Sequence, residues 1–358
     1  MKILVIFTGG TIGCPPPDEN NTQGYNNIGD KNTKSFKDYM LITDYIKNNK
    51  KSASKIVFDT IEAYSKLSEN INKSDFNELI KCFKNIKSKK YDGIIITHGT
   101  DTLAYTASLS AILLSHLKVP VILVSSNLSL DNKKANGSKN FKDAIEFISL
   151  KKYYGTYVFF SYDNKITKVY LASRIKQSEG FIHAYKSVDN NDFGYIKDNN
   201  FYPDIGYVSN LELENFNKFS HENLLNKIES IDANILIIKP YPDLNYNIFN
   251  IYDNKIDAVL QETYHSYTAC TAKTLENSLL EFNNKCKKRG ILVYIAPFYD
   301  SDIKYSSTVK MLEEGIIPLE RTSLECTYIK LLLGYSIYKG DIKNINKFIS
   351  SNISFEKF

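Results

Sequence analysis

The sequence lacks any long apolar run. Its opening run extends only from Ile3 to Phe7 before Thr8-Gly9-Gly10, which is too short for the core of a signal peptide. No stretch of about 18 apolar residues occurs anywhere, so the sequence predicts no membrane span. We therefore expect the chain to stay in the cytoplasm.

Cysteine and histidine are both scarce. The five cysteines are an odd number, lie far apart and form no Cys-x-x-Cys pair, and only five histidines accompany them. Zinc sites are usually built from such ligands at short spacings, so we predict no metal site and reduced, mostly buried thiols. Cys14, which lies beside a glycine motif, and Cys270, which lies in a polar run, are the two thiols that could instead be reactive.

Concentrated charge is absent as well. Lys and Arg total 45 against 40 Asp and Glu, and the net charge of +5 is spread along the chain. This balance favours neither nucleic acid nor a membrane as a partner. The densest basic cluster, at 84–90, is typical of the C-terminal end of a helix that begins near Ser74. Neither Gly-x-Gly-x-x-Gly nor the phosphate-loop pattern occurs, which argues against a nucleotide-binding domain.

Short apolar runs alternate with amphipathic stretches along the first half of the chain. The runs are typical of strands buried on both faces, and they lie at 3–7, 93–97, 120–124 and 157–160. The helix-like stretches lie at 74–87, 103–117 and 140–150. This alternation predicts an α/β fold with a mainly parallel sheet flanked by helices.

The length of 358 residues favours two domains. Beyond Tyr185 the periodicity weakens and Asn, Asp and Gly accumulate, with one strand-like run at 206–209. Strand-like runs resume at 234–238, 258–260 and 290–296, and helix-like stretches lie at 271–288 and 324–333. We predict a larger N-terminal domain (1–190), a linker (191–230) and a smaller C-terminal α/β domain (231–358).

Two polar motifs directly follow predicted strands, where open α/β sheets bind their ligands. In the first, Thr8-Gly9-Gly10-Thr11, the glycines allow backbone N–H groups to approach a ligand, and a threonine hydroxyl lies beside them. A tight strand-to-helix turn would require the same glycines.

The second motif is His98-Gly99-Thr100-Asp101-Thr102, which leads into the helix predicted at 103. Asp101 or Thr102 suits the N-cap, so one interpretation is a capped helix start. The other is chemical, because the Thr100 hydroxyl beside a carboxylate suits proton transfer or a positioned water.

Taken as a pair, the two motifs carry a resemblance. Residues 8–12 (Thr-Gly-Gly-Thr-Ile) with residues 98–107 (His-Gly-Thr-Asp-Thr-Leu-Ala-Tyr-Thr-Ala) resemble the two signatures of the bacterial-type L-asparaginase and glutaminase family. Gly24-Tyr25, Ser68-Glu69-Asn70-Ile71 and Leu324-Glu325 extend the resemblance. Only the N-terminal third matches densely, and the second domain resembles the family more by layout than by motif.

The resemblance implies hydrolysis of the side-chain amide of L-asparagine, without a cofactor. Thr11 would be the nucleophile, and Tyr25 would reach it from a mobile loop. Thr100, Asp101 and a lysine would form a second cluster, in which the lysine keeps Thr100 basic.

Substrate binding is implied for a further set of residues. Ser68 and Glu69 would bind the carboxylate and amino groups of the substrate, and Asp101 would also hold the amino group. Gly10, Gly99 and Thr100 complete the implied binding set.

The lysine of the second cluster is a departure from the family pattern. Ser173-Arg174-Ile175-Lys176 is a shorter approach to the lysine than the family shows, but Tyr185 follows Lys176 by nine positions, as in that pattern. Lys176 is therefore our choice. Lys165 and Lys168 remain alternatives, which would otherwise be surface strand residues.

Two further stretches depart from the family. The run 264–271 (Tyr-His-Ser-Tyr-Thr-Ala-Cys-Thr) stands where many relatives bring a loop to the neighbouring subunit's substrate, so Ser266 or Thr268 could contribute there, or the run could cap a helix from Thr271. Glu325 could stand for an acid brought across a subunit interface, although an acidic first helical turn explains it more simply.

The resemblance also implies a homo-oligomer, most simply a tetramer of tight dimers with sites completed across subunits. One methylene separates asparagine from glutamine, so glutaminase activity is an open alternative. A related glutamine-hydrolysing subunit for transfer RNA amidation carries an extra N-terminal domain, whereas the first motif here begins at Thr8. A catalytically inactive amino-acid-binding relative is the alternative from another class.

Overall fold

The computed structural model describes residues 1–13, 38–86, 90–181, 184–188, 190–204, 224–253, 255–272, 276–300 and 304–357. The chain divides into two units, each with its own sheet. The first unit comprises Met1–Lys227 and Ile353–Phe355, and the second comprises Ile228–Asn352 and Glu356–Phe358. The predicted α/β fold with a larger N-terminal sheet and a smaller C-terminal one is confirmed.

The first sheet has eight strands in the order β2-β1-β3-β4-β5-β6-β7-β8. Their bounds are β1 Lys2–Gly9, β2 Val57–Lys66, β3 Gly93–Thr97, β4 Pro120–Val124, β5 Gly155–Ser161, β6 Ile166–Leu171, β7 Gly194–Lys197 and β8 Asn200–Pro203. The first five strands pair in parallel, and the last three join in antiparallel fashion. Strands β1, β3 and β4 are buried along almost their whole length, as continuous apolar runs require when both faces of a sheet are covered.

Helices of the first unit connect the parallel strands. They are α1 Asp38–Asn48, α2 Lys50–Ala53, α3 Lys73–Lys84, α4 Leu103–Leu113 and α5 Gly137–Ser149. Helix α3 begins at a capping box, in which Asn72 accepts from the Ser74 N–H and Asp75 accepts from the Asn72 N–H. Helices α1 and α5 contribute Leu41, Phe141 and Ile145 to a core that includes alternate residues of β1. Packing on this face holds the strand ends in a fixed register.

The last two strands of the first sheet lie within residues 191–230, the stretch predicted to be a linker. Strands β7 and β8 form a hairpin there, and the first unit extends to Lys227. Asp198 and Asn199 connect the two strands with φ angles of 51° and 61°. Two consecutive left-handed residues match the right-handed twist of a hairpin, and Asp and Asn tolerate that conformation best among residues with a side chain. The strand-like run at 206–209 lies outside the described residues.

The second sheet is parallel, with four strands in the order β12-β11-β10-β9. The strands of this unit are β9 Ile235–Ile238, β10 Ala258–Glu262, β11 Leu292–Phe298 and β12 Ile317–Glu320, and the helices are α6 Leu279–Lys287, α7 Ser306–Glu313, α8 Leu324–Tyr338 and α9 Ile342–Ser350. Helix α6 begins after Ser278, not at 271 as predicted. Thr271, Asn277 and Ser278 bear side chains that compete for backbone hydrogen bonds, which disfavours a helix interior.

In the described part of the chain, no helix combines the length and apolar character that a membrane span needs.

Candidate functional site

The predicted site residues of the first unit follow three adjacent strands. Strand β1 lies between β2 and β3, and all three run in parallel. Their carboxyl ends therefore meet at one edge of the sheet, where Thr8–Thr11 ends β1, a short turn at Ser68–Asn70 follows β2, and His98–Thr102 follows β3. We had not predicted β2 from the sequence, so the placement of Ser68 and Glu69 beside the two motifs comes from the topology.

The turn after β1 depends on two glycines in left-handed conformations. Gly9 has φ +92° and Gly10 has φ +79°. A Cβ on Gly10 would lie 2.3 Å from the amide nitrogen of Gly99, and a Cβ on Gly9 would lie 2.4 Å from the backbone of Lys66. Only glycine permits this approach without moving the neighbouring backbone. The N–H of Gly10 donates to the Lys66 carbonyl at 2.8 Å, so it already has an acceptor.

The contact between Gly10 and Gly99 brings the two motifs together. Thr11 follows Gly10 and Thr100 follows Gly99, so each candidate hydroxyl is one residue from the contact. Thr11 opens a single turn of 3-10 helix, Thr11–Gly13, and both threonines are half-buried. Thr8 reinforces the junction, because its buried hydroxyl donates to the Thr97 carbonyl at 2.6 Å.

Ser68 connects the turn after β2 to the motif after β3. Its side chain is 2% exposed, and its Oγ accepts from the Asp101 N–H at 3.1 Å and donates to the Asp101 carboxylate at 3.3 Å. Thr102 donates to the Ser68 carbonyl at 2.8 Å. Thr102 is the N-cap residue of α4, but its hydroxyl does not cap the helix. The motif is therefore more than a capped helix start.

The candidates differ in their access to solvent. Asp101 and Glu69 are exposed, Thr11 and Thr100 are half-buried, and Ser68 is buried. This gradient forms a shallow polar site in which hydroxyl groups lie deeper than carboxylates. A carboxylate at the rim suits the recognition of an ammonium group, and a partly desolvated hydroxyl suits attack on a carbonyl carbon.

Lys176 lies in the connection from β6 to β7 and is exposed. Its neighbour Gln177 donates to the Asp101 carbonyl at 3.1 Å, which brings this stretch against the second motif. Tyr185, nine positions after Lys176, donates its hydroxyl to the Thr100 carbonyl at 2.7 Å. Of the alternatives, Lys168 pairs with Asp192 at 2.8 Å, and Lys165 is exposed.

His98 lies fully buried beneath the second motif. Its Nδ1 is 2.8 Å from the Gly99 carbonyl, which can only accept, so Nδ1 carries the proton. Burial is the main cause that lowers the pKa of His98 from 6.5 to about 4. The imidazole is therefore neutral near pH 7 and serves to hold the turn rather than to exchange protons.

The remaining candidates lie either outside the described residues or in the second unit. Tyr25 and Cys14 lie outside the described residues. In the second unit, Ser266 and Thr268 lie in a turn after β10, with their hydroxyl oxygens 3.3 Å apart, and this turn does not cap a helix from Thr271. Glu325 lies in the first turn of α8, where an acidic residue complements the helix dipole.

The described cysteines and the other residues able to bind a metal bear on the predicted absence of a metal site. Cys82, Cys270, Cys286 and Cys326 take part in no disulfide bond, and of these four Cys270 alone is partly exposed. Within the described ranges, no group of three or more His, Cys, Asp or Glu residues is placed to hold a metal ion.

Comparisons with known proteins identify relatives along the whole chain. The family model described as Asparaginase, N-terminal, matches residues 2–204. The L-asparaginase of Thermococcus kodakarensis is 26% identical over 367 residues, which cover 99% of each chain. A glutamyl-tRNA(Gln) amidotransferase subunit of Methanococcus vannielii is 26% identical over 73% of this chain and 60% of its own length.

Solved structures share the fold. The thermostable L-asparaginase from Thermococcus kodakarensis superimposes with a TM-score of 0.74 at 23% identity, over 100% of this chain and 99% of that one. L-asparaginase I from Vibrio cholerae gives a TM-score of 0.70 at 18% identity, again over 100% and 99%. At these identities the likeness is one of fold.

Proposed function

Because this chain belongs to the asparaginase family, we propose that it hydrolyses the side-chain amide of L-asparagine to L-aspartate and ammonia. The family and its L-asparaginase relative support an amidohydrolase. The similarity to L-asparaginase extends over 99% of both chains, which favours asparagine as the substrate.

One observation carries the proposal, namely the backbone contact between Gly10 and Gly99. This contact brings two threonine hydroxyls, from motifs 89 residues apart in the chain, to one edge of the sheet. A single capped turn would not require it. Two hydroxyls beside a rim of carboxylates are the groups that amide hydrolysis by a covalent route needs.

The proposed mechanism begins with attack of the Thr11 hydroxyl on the amide carbon. Thr100, kept basic by Lys176, accepts the proton and passes it to the amide nitrogen, so that ammonia leaves as the C–N bond breaks. Water then hydrolyses the ester on Thr11 and releases aspartate. We assign a contact with the Thr11 hydroxyl to Tyr25.

Substrate recognition is proposed for the residues around Ser68. The Ser68 hydroxyl and Glu69 would bind the carboxylate and amino groups of asparagine, and Asp101 would also bind the amino group. The existing bonds between Ser68 and Asp101 support this, because they align the two side chains before substrate arrives.

A second candidate function is the hydrolysis of glutamine. The similarity to the amidotransferase subunit motivates it, and a pocket distinguishes one methylene by only about 1 to 3 kcal/mol. That similarity covers 60% of the amidotransferase chain, so the proposal does not extend to the amidotransferase reaction itself.

Ammonia release from L-asparagine and, separately, from L-glutamine tests the proposal. Thr11→Val keeps the shape of the side chain and removes the hydroxyl, so activity should disappear, whereas Thr11→Ser should retain part of it. Lys176→Met should lower the rate while Lys165→Met and Lys168→Met do not. Loss in one of the latter variants would transfer the lysine role to that position.

Two outcomes would overturn the proposal. Release of ammonia from glutamine alone would make the chain a glutaminase. Binding of aspartate without ammonia release from either amide would leave the inactive amino-acid-binding relative as the better description.

The proposal extends to assembly and location. A homo-oligomer, as a dimer or tetramer with sites completed across subunits, and a cytoplasmic location remain expectations from the sequence. Light scattering on the purified chain tests the first, and cell fractionation tests the second.

A further inference from the structure

The connection from β6 to β7 folds back on itself beside the second motif. Ile175 and Ser187 form an antiparallel bridge, and the Lys176 N–H donates to the Lys186 carbonyl at 2.8 Å. The Val188 N–H donates to the Arg174 carbonyl at 3.0 Å, so the described arms of this connection hold each other in register. Side chains on these arms therefore have well-defined positions.

The Tyr185 side chain is firmly held within this connection. It is 2% exposed, and its ring packs edge-on against Phe160 with centroids 5.1 Å apart. Its backbone N–H donates to the Tyr162 hydroxyl at 3.0 Å, and that hydroxyl lies 2.6 Å from the hydroxyl of Tyr170. The Tyr185 hydroxyl is thus aimed at the Thr100 carbonyl by packing and hydrogen bonds remote from the motif.

The peptide unit between Thr100 and Asp101 is held on both sides. Its carbonyl accepts from the Tyr185 hydroxyl at 2.7 Å, and its N–H donates to the Ser68 Oγ at 3.1 Å. The two bonds act at opposite edges of one planar group, so they oppose its rotation. Rotation of this plane would change the directions of both the Thr100 and the Asp101 side chains.

We propose that Tyr185 is a positioning residue for amide hydrolysis, whose hydroxyl sets the orientation of the Thr100–Asp101 peptide. The inference rests on the proposed function, because Thr100 and Asp101 matter only if they act on substrate. Burial is the main cause that raises the pKa of Tyr185 well above its usual value, so the hydroxyl remains a donor throughout the working pH range.

The test replaces Tyr185 by Phe, which keeps the ring and removes the donor. Tyr157→Phe is the matched control, because Tyr157 is also fully buried and donates to a backbone carbonyl, that of Tyr154, at 2.7 Å. Each variant loses one hydrogen bond from a buried tyrosine to a carbonyl, so the two should lose similar stability. Only Tyr185→Phe should lose the orientation of the second motif.

Three measurements separate positioning from a general structural role. The thermal midpoints of the two variants should agree within a few degrees. The kcat of Tyr185→Phe on asparagine should fall about 10-fold or more, within the ~100-fold that a misplacement of 1 Å can cost. Its affinity for aspartate should weaken as well, because the Asp101 side chain is redirected, whereas Tyr157→Phe should keep both the kcat and the aspartate affinity of the unmodified chain.

Failure of this inference differs from failure of the proposed function. If the unmodified chain releases ammonia from asparagine and Tyr185→Phe matches its kcat, the positioning role is wrong and the function stands. An equal fall of kcat in both variants would also overturn the inference, since it would show a structural effect alone. If the unmodified chain releases no ammonia, the proposed function and the positioning role are both wrong.

Discussion

The carboxyl ends of the parallel strands are built differently in the two sheets. In the first sheet, the segments at the ends of β1, β2 and β3 interlock: the Gly10 N–H bonds to the Lys66 carbonyl, Ser68 bonds to Asp101, and Gly10 packs against Gly99. In the second, the turn after β10 closes largely on itself, with Tyr264 N–H donating to the Thr268 carbonyl at 3.0 Å and Tyr267 N–H to the Tyr264 carbonyl at 2.8 Å.

The difference explains why recognisable motifs are concentrated in the first unit. Loops that interlock need small residues and hydroxyls at specified points, because any larger side chain separates them. A turn that closes on itself accepts many sequences. The segments that form the interlocked edge are therefore easier to recognise in the sequence. Substitutions in them are also expected to disturb the structure more.

The largest loss of activity is expected from adding one methyl group at Gly10. Gly10→Ala forces a Cβ to within 2.3 Å of the Gly99 backbone in a left-handed conformation, so the two motifs must separate. We expect kcat/KM to fall at least ~100-fold, as for misplaced catalytic groups. Gly315→Ala, with φ +70° and no atom within 4 Å of the added Cβ, should cost only the ~1 to 2 kcal/mol of left-handed strain and keep full activity.

The Gly10 result is measured by kinetics and by denaturant unfolding of both alanine variants. Full activity in Gly10→Ala would show that the contact between the motifs is not needed, and would remove the main support for the site.

A second effect concerns acid stability. The pKa of His98 is lowered to about 4 in the folded chain, while the unfolded value is near 6.5, so the unfolded state binds the additional proton between these values. The free energy of unfolding has its full contribution from His98 above pH 6.5 and loses it as the pH falls toward 4. At 1.36 kcal/mol for each pKa unit, the loss is about 3 kcal/mol. In the second unit, the fully buried Lys330 and Glu356 form an ion pair instead.

His98→Asn isolates this contribution, because Asn retains a donor for the Gly99 carbonyl but does not titrate. The difference in unfolding free energy between the unmodified chain and the variant should shrink by about 3 kcal/mol from pH 7 to pH 4. His265→Asn, at an exposed position, serves as the control. A difference that is constant with pH would contradict the buried neutral imidazole.

The smallest effect is expected from Ser68→Ala, compared with Ser336→Ala in the second unit. The buried Ser336 Oγ accepts from the Asp232 and Ala233 N–H groups at 3.1 and 3.2 Å, much as Ser68 accepts from Asp101. Both variants should lose about 1 kcal/mol of stability. Only Ser68→Ala should lower kcat/KM for asparagine, by about 10-fold, and equal kinetics in the two variants would argue against substrate binding by Ser68.

Some elements could be predicted closely from the sequence. The bounds of β3 and β4 agree with the predicted strands residue for residue, because short apolar runs bounded by polar or turn residues have few other solutions in an α/β fold. Because both motifs directly follow predicted strands, their positions at strand ends could be predicted as well. Strand β2 was missed because its burial varies irregularly along the strand, with polar residues such as Asp59 and Glu62 among the apolar ones.

Other features depend on contacts that no local pattern records. The hairpin of β7 and β8 has only four residues in each strand, although Asp198-Asn199 was a usable turn signal. The bond from Tyr185 to Thr100 joins residues 85 positions apart. Thr102 occupies the N-cap but bonds to Ser68, because the turn that follows β2 offers a carbonyl at 2.8 Å.

The sequence by itself determined the α/β class, the strand ends that carry polar groups, and the pairing of motifs that identifies the family. Those properties follow from periodicity and from residue types that only certain turns tolerate. Tertiary structure alone decided that Ser68 lies against the second motif, that the Gly10 N–H is already bonded, and that Tyr185 holds the Thr100 carbonyl. These facts depend on which strands become neighbours, and strand order is set by the packing of the whole sheet rather than by any single segment.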